Sequence, residues 1–373
     1  MVICHIISGD LWAGAEAMCY RLIKGLQEIK NIQISVILFN NGKLETELRK
    51  LGTALYVVDE KRFGHFHLIK KIHSILMELN PDIIHTHGLK ENITAYLSSI
   101  FNHKHIRLLC TQHGAGEPNI RAKRKLLLKI NDYILSRRFH SFIAVSEDLR
   151  DILFENRGFP SEKLVVIRNG TEIPPHPKGF NDRTSFVIGS AGRLFQIKDY
   201  PFLVDIAAEI FKHSKDIRFE LAGDGPEKEE INKRIKIYGL EKVFTLKGFT
   251  EDMNEFYTGL DLYVNTSMHE GFPMSVLEAM AHGLPVVAPR EGGLKEIIDD
   301  GEVGFLVDGR EPNRFAMKCL EIYKDRNLRL KMGRASREKI IKEYSISKMV
   351  EEYVKLYNIA VNSCWQHMIC PVL

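Results

Sequence analysis

Along this chain, short runs of apolar residues alternate with longer stretches in which apolar positions recur every three or four residues. A short, fully apolar run has no polar face and reads as a strand buried on both sides. The longer period reads as a helix with one buried stripe. In the first half, the strand candidates are 2–7, 34–39, 54–58, 82–86, 107–111, 141–145 and 164–167. Helices over segments such as 15–27, 67–79, 92–100, 123–139 and 147–155 fill the gaps. This alternation predicts a parallel sheet covered on both faces.

The pattern then breaks. Asn169-Gly170-Thr171 reads as a turn, and Pro174-Pro175-His176-Pro177-Lys178-Gly179 is incompatible with a helix. It restarts with strand candidates at 186–191, 217–222, 243–246, 261–265, 285–288 and 303–307, and becomes wholly helical over 312–361. The organisation expected is therefore an N-terminal domain over 1–170, a linker over 171–184, a second domain over 185–345 and a helical tail over 346–373. The tail reads either as a helix crossing back to the first domain or as a frayed end. Two doubly wound α/β domains facing each other leave a cleft at the carboxyl ends of both sheets, where ligands of this architecture bind.

Composition narrows the class. The chain has 373 residues, 45% hydrophobic and 27% charged, which suits soluble globular domains. No apolar run approaches the ~18 residues of a membrane span. A net charge of +4 is too small to imply nucleic acid without a clustered patch. The first strand has no basic flank or cleavage site ahead of it, so no secretory signal is expected. The six cysteines, at 4, 19, 110, 319, 364 and 370, match no zinc spacing and read as reduced thiols of a cytoplasmic protein.

The chemistry concentrates in 261–309. A strand at 261–265 leads into the loop His269-Glu270-Gly271-Phe272-Pro273-Met274. A helix from about Ser275 to His282 follows, and Gly283 and Pro285 end it. First-turn amides near Met274 and Ser275 favour an anion. With Glu270 and Glu278 on either side for hydroxyls, a nucleotide-sugar diphosphate fits. Two plainer readings compete. Ser275-x-x-Glu278 is also a capping box, and Glu270 also reads as a solvated loop carboxylate.

Glu270-Gly-Phe-Pro-Met-Ser-Val-Leu-Glu278, Gly283-Leu-Pro-Val-Val, Gly292-Gly293-Leu-Lys-Glu296 and Gly304-Phe-Leu-Val follow in order. So do Gly192-Arg193 through Lys198-Asp199, Ala222-Gly223-Asp224-Gly225-Pro226, His85-Thr86-His87-Gly88, Gln112-His113-Gly114, Ala144-Val145-Ser146, Arg168-Asn169-Gly170 and Ala13-Gly14-Ala15-Glu16. Together these resemble family 4 of the retaining glycosyltransferases, which have the GT-B fold, over roughly 2–345. The resemblance implies that Arg193 and Lys198 hold the donor diphosphate and stabilise leaving-group charge. Glu270 would bond the sugar hydroxyls, and Glu278 the ribose. Gly248 and Phe249 would sit by the base, and Phe272, Pro273, Met274 and Ser275 would line the donor. Gly14 would admit the donor close to the backbone, although the family often has a second glycine where this chain has Ala13. His113 would contact the transferred sugar; read alone, a histidine at a strand end is more often structural. Asp199 is expected to cap the helix starting at Tyr200-Pro201.

No metal is expected. The chain has no Asp-x-Asp pair. His85 and His87 straddle a strand end where Gly88 turns the chain, with no third ligand in view. The resemblance further implies retention of an α linkage by front-face attack, with no carboxylate nucleophile. The acceptor implied is a lipid-linked or envelope glycan, such as a capsule, exopolysaccharide or lipopolysaccharide unit. Arg121, Lys123, Arg124, Lys125, Arg137 and Arg138 stud a helix over 121–138. It reads either as a solvated basic face or as peripheral contact with anionic lipid, where each cation adds ~1 kcal/mol. The rival functions are a non-hydrolysing nucleotide-sugar epimerase of the same fold and an inactive nucleotide-sugar-binding protein.

Overall fold

The structure is a computed structural model that describes residues 1–10, 12–100, 106–114, 122–175 and 185–367. The first elements are Val2–Ile7 (β1), Gly14–Gln27 (α1), Gln33–Leu38 (β2), Lys43–Lys50 (α2), Ala54–Val57 (β3), His65–Leu79 (α3), Ile83–Thr86 (β4), Leu89–Ser99 (α4), Arg107–Gln112 (β5), Ala122–Arg138 (α5), Ser141–Ala144 (β6), Glu147–Arg157 (α6) and Leu164–Val166 (β7). Next come Val187–Ala191 (β8), Tyr200–His213 (α7), Arg218–Ala222 (β9), Lys228–Ile237 (α8), Phe244–Gly248 (β10), Met253–Gly259 (α9), Leu262–Val264 (β11), Met274–Ala281 (α10), Val286–Pro289 (β12), Leu294–Ile297 (α11) and Gly304–Val307 (β13). Pro312–Lys324 (α12), Arg326–Glu343 (α13) and Ile346–His367 (α14) are the last elements of the described residues. Each strand expected from the sequence forms, with no end shifted by more than two residues.

The chain divides into two compact units, one of Met1–Gly170 with Ile346–Leu373, the other of Thr171–Ser345. The first holds a seven-stranded sheet in the order β3-β2-β1-β4-β5-β6-β7, the second a six-stranded sheet in the order β10-β9-β8-β11-β12-β13. Every strand pair in both sheets is parallel. The apolar runs are the reason. Five of the six residues of β1 are buried, as are all of β8, β12 and β13. Ile7, Val36 and Leu38 pack with Cys19 and Ile23 of α1 in the first unit. In the second, Ile188, Leu221 and Val287 share a core with Phe202 and Phe315, whose rings meet edge to face at 5.2 Å. Local signals set helix ends. Ser146 accepts from the Leu149 amide at 3.1 Å to start α6, and Gly158 ends it with φ of 66°.

Helix α14 completes the first unit. Tyr353 and Tyr357 are buried, and their hydroxyls reach the sheet. Tyr357 bonds His85 Nδ1 at 2.7 Å, and Tyr353 bonds Thr111 Oγ1 at 3.0 Å. The start of the expected linker is tied into the second unit instead: Thr171 N–H donates to the Tyr344 carbonyl at 2.9 Å, and Arg337 donates to the Pro174 carbonyl at 2.6 Å. Residues 176–184 and the tail at 368–373 lie outside the described residues. Cys4, Cys19, Cys110 and Cys319 are free and buried; the side chains of Cys364 and Cys370 are outside the description. No helix among the described residues is long and apolar enough to cross a membrane.

Replacing Tyr357 by Phe keeps the ring and leaves His85 Nδ1 without its hydroxyl partner. A buried polar group stranded this way costs about 1–3 kcal/mol. Thermal denaturation of Tyr357→Phe should show a loss of that size, and an unchanged Tm would mean the bond contributes nothing.

Candidate active site

In each sheet the chain order reverses once, between β1 and β4 in the first and between β8 and β11 in the second. Loops leaving the carboxyl ends of the two strands at such a point diverge to opposite faces and leave a crevice. The candidate residues of the second unit gather there. Lys198, in the loop after β8, forms an ion pair with Glu270, in the loop after β11. The Ser267 hydroxyl donates to the same Glu270 oxygen at 2.6 Å. The Glu270 side chain is only 11% exposed, so it is not a solvated loop carboxylate. The two loops are stitched together by Thr266 Oγ1 donating to the Lys198 carbonyl at 2.8 Å and by the Met268 amide donating to the Ile197 carbonyl at 2.9 Å.

A third loop clamps them. Arg310, after β13, donates to the Thr266 carbonyl at 2.8 Å and pairs with Asp199 at 2.5 Å. Asp199 thus does not cap α7 as expected. Its backbone is left-handed, with φ of 46°, its side chain makes no cap bond, and its carboxylate is held by Arg310. Gly293 backs the Glu270 loop. A Cβ there would lie 1.9 Å from the Gly271 carbonyl oxygen, and the Gly293 amide donates to the Glu270 carbonyl at 2.9 Å. Only glycine allows this approach.

Helix α10 starts at Met274 with Pro273 as its N-cap residue. Ser275 is therefore inside the first turn, and the Ser275–Glu278 pair is out of register for a capping box. Glu278 sits a full turn into the helix, and its Oε2 accepts from Tyr257 at 2.9 Å. Phe272 is buried with its ring 5.3 Å from that of Tyr344, and Pro273 and Met274 are buried too. Their side chains thus serve the fold, and what they offer a ligand is backbone. Arg193 is exposed, its guanidinium stacked 4.9 Å from the Phe195 ring. Gly248 has φ of 71°, and Phe249 beside it is 58% exposed. Arg310, Ser267 and Tyr257 were not picked out from the sequence.

In the first unit, Gly14 opens α1, where Glu16 reaches back to accept from the Ala13 amide at 3.1 Å. His113, at the end of β5, is part-buried. Its Nε2 lies 3.3 Å from His87 Nδ1, and His87 Nε2 lies 3.1 Å from His5 Nδ1. The expectation that His85 and His87 part at the strand end is not met. Their ring centroids are 4.4 Å apart, and His5, opposite His85 on the adjacent strand, brings a third imidazole. Ligating atoms of His5, His85 and His87 lie within 4.8 Å of one another. Burial lowers the pKa of all four rings, to about 3 for His5 and about 4 for His113, and well below the usual value for His85 and His87, where neighbouring imidazoles add to the effect.

Helix α5 carries a separate surface. Leu126, Leu127, Ile130 and Tyr133 are all exposed, beside exposed Lys129, Arg137 and Arg138. Arg121 and the side chains of Lys123, Arg124 and Lys125 lie outside the described residues.

Two family models match successive parts of the chain, glycosyl transferases group 1 over residues 175–339 and glycosyltransferase family 4 over residues 12–173. The chain belongs to the group 1, family 4 glycosyltransferases. It is 30% identical over 234 residues to a poly(ribitol-phosphate) alpha-N-acetylglucosaminyltransferase of Staphylococcus aureus, a match spanning 62% of this chain and 46% of that enzyme. It is 25% identical over 305 residues to the Escherichia coli UDP-Gal:alpha-D-GlcNAc-diphosphoundecaprenol alpha-1,3-galactosyltransferase, spanning 77% of each. Among solved structures, Anabaena HepE in complex with UDP and glucose superposes with a TM-score of 0.85 at 22% identity, over 95% of this chain and 99% of that one. The GT-B fold is thereby shown for this glycosyltransferase.

The buried imidazoles make the glycosyltransferase acid-labile. Unfolded, they bind protons as pH falls through 6.5; folded, His5 and His113 stay neutral down to about 3 and 4. Between those values the unfolded state binds more protons, so stability falls as pH falls. The stabilisation is fully present above pH 6.5. Denaturation curves should show a steady loss between about pH 6.5 and 4, and a loss confined below pH 4 would place its origin in the carboxylates.

Proposed function

We propose that this chain is a metal-independent, retaining glycosyltransferase that moves a sugar from a UDP-sugar to a lipid-linked or polymeric envelope acceptor. The Lys198–Glu270 pair carries the reading. A sugar nucleotide has a dianionic diphosphate at one end of the reacting bond and a ring of hydroxyls at the other. A cation and a carboxylate held side by side by neighbouring loops match both ends at once. Lys198, Arg193 and the first-turn amides of α10 would take the charge that builds on the leaving phosphate. Glu270 would accept from the sugar hydroxyls, and Glu278, already oriented by Tyr257, from the ribose. Gly248 and Phe249 would flank the base; for Gly14 and His113 the family resemblance gives the roles of admitting the donor close to the backbone and contacting the transferred sugar. No carboxylate nucleophile is assigned; the departing phosphate would take the acceptor proton as the acceptor attacks from the same face. UDP is favoured as the carrier because UDP is bound in the HepE structure and named in the E. coli relative. The family assignment disfavours the epimerase reading, and the intact ion pair disfavours an inactive binder.

Thermal shift against UDP-, GDP-, ADP-, CMP- and dTDP-sugars in EDTA tests this. UDP-sugar at ~100 times its Kd should stabilise by about 2.7 kcal/mol, and Lys198→Ala should remove most of that shift. A shift that needs Mg²⁺ or Mn²⁺ would overturn metal independence, and a shift with another base would overturn UDP.

The exposed face of α5 extends the reading to the membrane. Apolar residues that should line a core here face outward among cations, the pattern of a helix lying in an anionic lipid surface. The protein should float with phosphatidylglycerol vesicles at low salt, and Leu126→Glu with Ile130→Glu should abolish flotation. Equal recovery with and without vesicles would remove membrane contact from the proposal.

A further inference from the structure

We propose that His5 and His87 form a one-way hydrogen-bond relay that holds His113 as the neutral ring with its proton on Nδ1, making His113 a fixed hydrogen-bond donor. The starting point is that His87 is engaged on both nitrogens, Nε2 by His5 Nδ1 at 3.1 Å and Nδ1 by His113 Nε2 at 3.3 Å. A neutral imidazole has one N–H and one lone pair. It must donate through one nitrogen and accept through the other, so the two bonds run in the same sense along the chain of three rings.

Only two senses exist, and the far end of the relay chooses between them. If protons point from His113 towards His5, then His5 carries its hydrogen on Nε2. That atom is buried and has no partner among the described residues. A buried N–H with nothing to bond is the costlier kind of unsatisfied group. If protons point from His5 towards His113, the unpartnered atom is only a lone pair. The Cys19 sulfur lies 3.6 Å from His87 Nε2. Burial raises the Cys19 pKa, which keeps it a thiol; a thiol can meet that nitrogen in either sense, so the choice rests on His5 Nε2. His113 then accepts at Nε2 and carries its hydrogen on Nδ1.

His85 stands beside the relay without joining it. Its two nitrogens are taken by the Tyr357 and Thr111 hydroxyls at 2.7 and 2.8 Å. Its ring lies 4.9 Å from that of His5 and 4.4 Å from that of His87. The competing use of these rings is a metal site. A metal would require His85 to surrender a hydroxyl partner and the His5–His87 contact to open. In this arrangement His5 and His87 are positioning residues. Their effect on transfer rests on the function proposed above for His113, but the tautomer does not.

The test is a two-bond ¹H–¹⁵N spectrum of the full chain labelled with ¹⁵N-histidine, read alongside the metal content of the purified protein. His113 should show a protonated, pyrrole-like Nδ1 and a bare, pyridine-like Nε2. His87→Leu should convert it to a tautomer mixture, and His87→Gln, whose amide still donates, should restore Nδ1–H. Transfer by His87→Leu should fall about tenfold in kcat at unchanged donor KM, one neutral hydrogen bond's worth, and recover in His87→Gln. Nε2–H on His113 in the wild type overturns the relay, as does an equimolar metal lost on His87→Leu. If His87→Leu fails to fold, the wild-type spectrum decides alone. The predicted tautomer in a protein without transferase activity would uphold the relay and reject the function assigned to His113.

Discussion

Parallel strands cannot be joined by a tight turn. Each return must cross a face of the sheet, and that constraint places everything else in this protein. The crossovers leave from the carboxyl ends of the strands, so the loops able to carry chemistry all open on one edge of each sheet. Where the strand order reverses, the loops part and leave room for a ligand. In the second unit Lys198 and Glu270 stand at that reversal; in the first, His5, His85 and His87 do. Ser267 and Gly293 follow β11 and its neighbour β12, and Thr111 lies on β5 beside β4, so sheet topology supplies much of each site; Arg310 after β13 and Tyr357 of α14 reach in from farther off.

Holding a charged pair at such a point takes support from several loops. Glu270 is reached by Ser267 and Lys198, its loop rests on Gly293, and Arg310 fastens that loop to Asp199 of the neighbouring one. Each tie is modest alone. Together they keep a carboxylate and an ammonium in place without burying either completely, which would exact a larger desolvation penalty.

The strands were legible because burial on both faces leaves an unbroken apolar run, and such runs stand out at any scale of reading. The signature over 261–309 was legible because one strand, one loop and one helix are contiguous. What stayed hidden depends on partners far apart in sequence. Lys198 and Glu270 are separated by 72 residues, Arg310 and Asp199 by 111. No local pattern announces that Asp199 turns to Arg310 instead of capping α7, because its left-handed backbone is set by the packed loop. The capping box failed for a similar reason: Pro273 fixes the helix start one residue early and shifts Ser275 out of register. The histidines were misjudged because the alternation was taken to stop where Gly88 turns the chain, whereas the His85 and His87 rings stay together, and because His5 is contributed by a neighbouring strand.

The chain leaves the first unit at Gly170, builds the whole second unit and returns with α14. During synthesis, Tyr357 is made 272 residues after His85. A ribosome therefore releases a seven-stranded sheet whose buried imidazole still lacks its phenol, while the second unit, joined at its own two ends through Thr171 and Ser345, has all its parts. Folding of the earlier-made unit is thereby scheduled to finish after the later-made one. This is a long-range closure of the kind that slows folding and leaves apolar surface waiting. Until α14 emerges, the sheet surface that Tyr353 and Tyr357 cover stays open on the nascent chain.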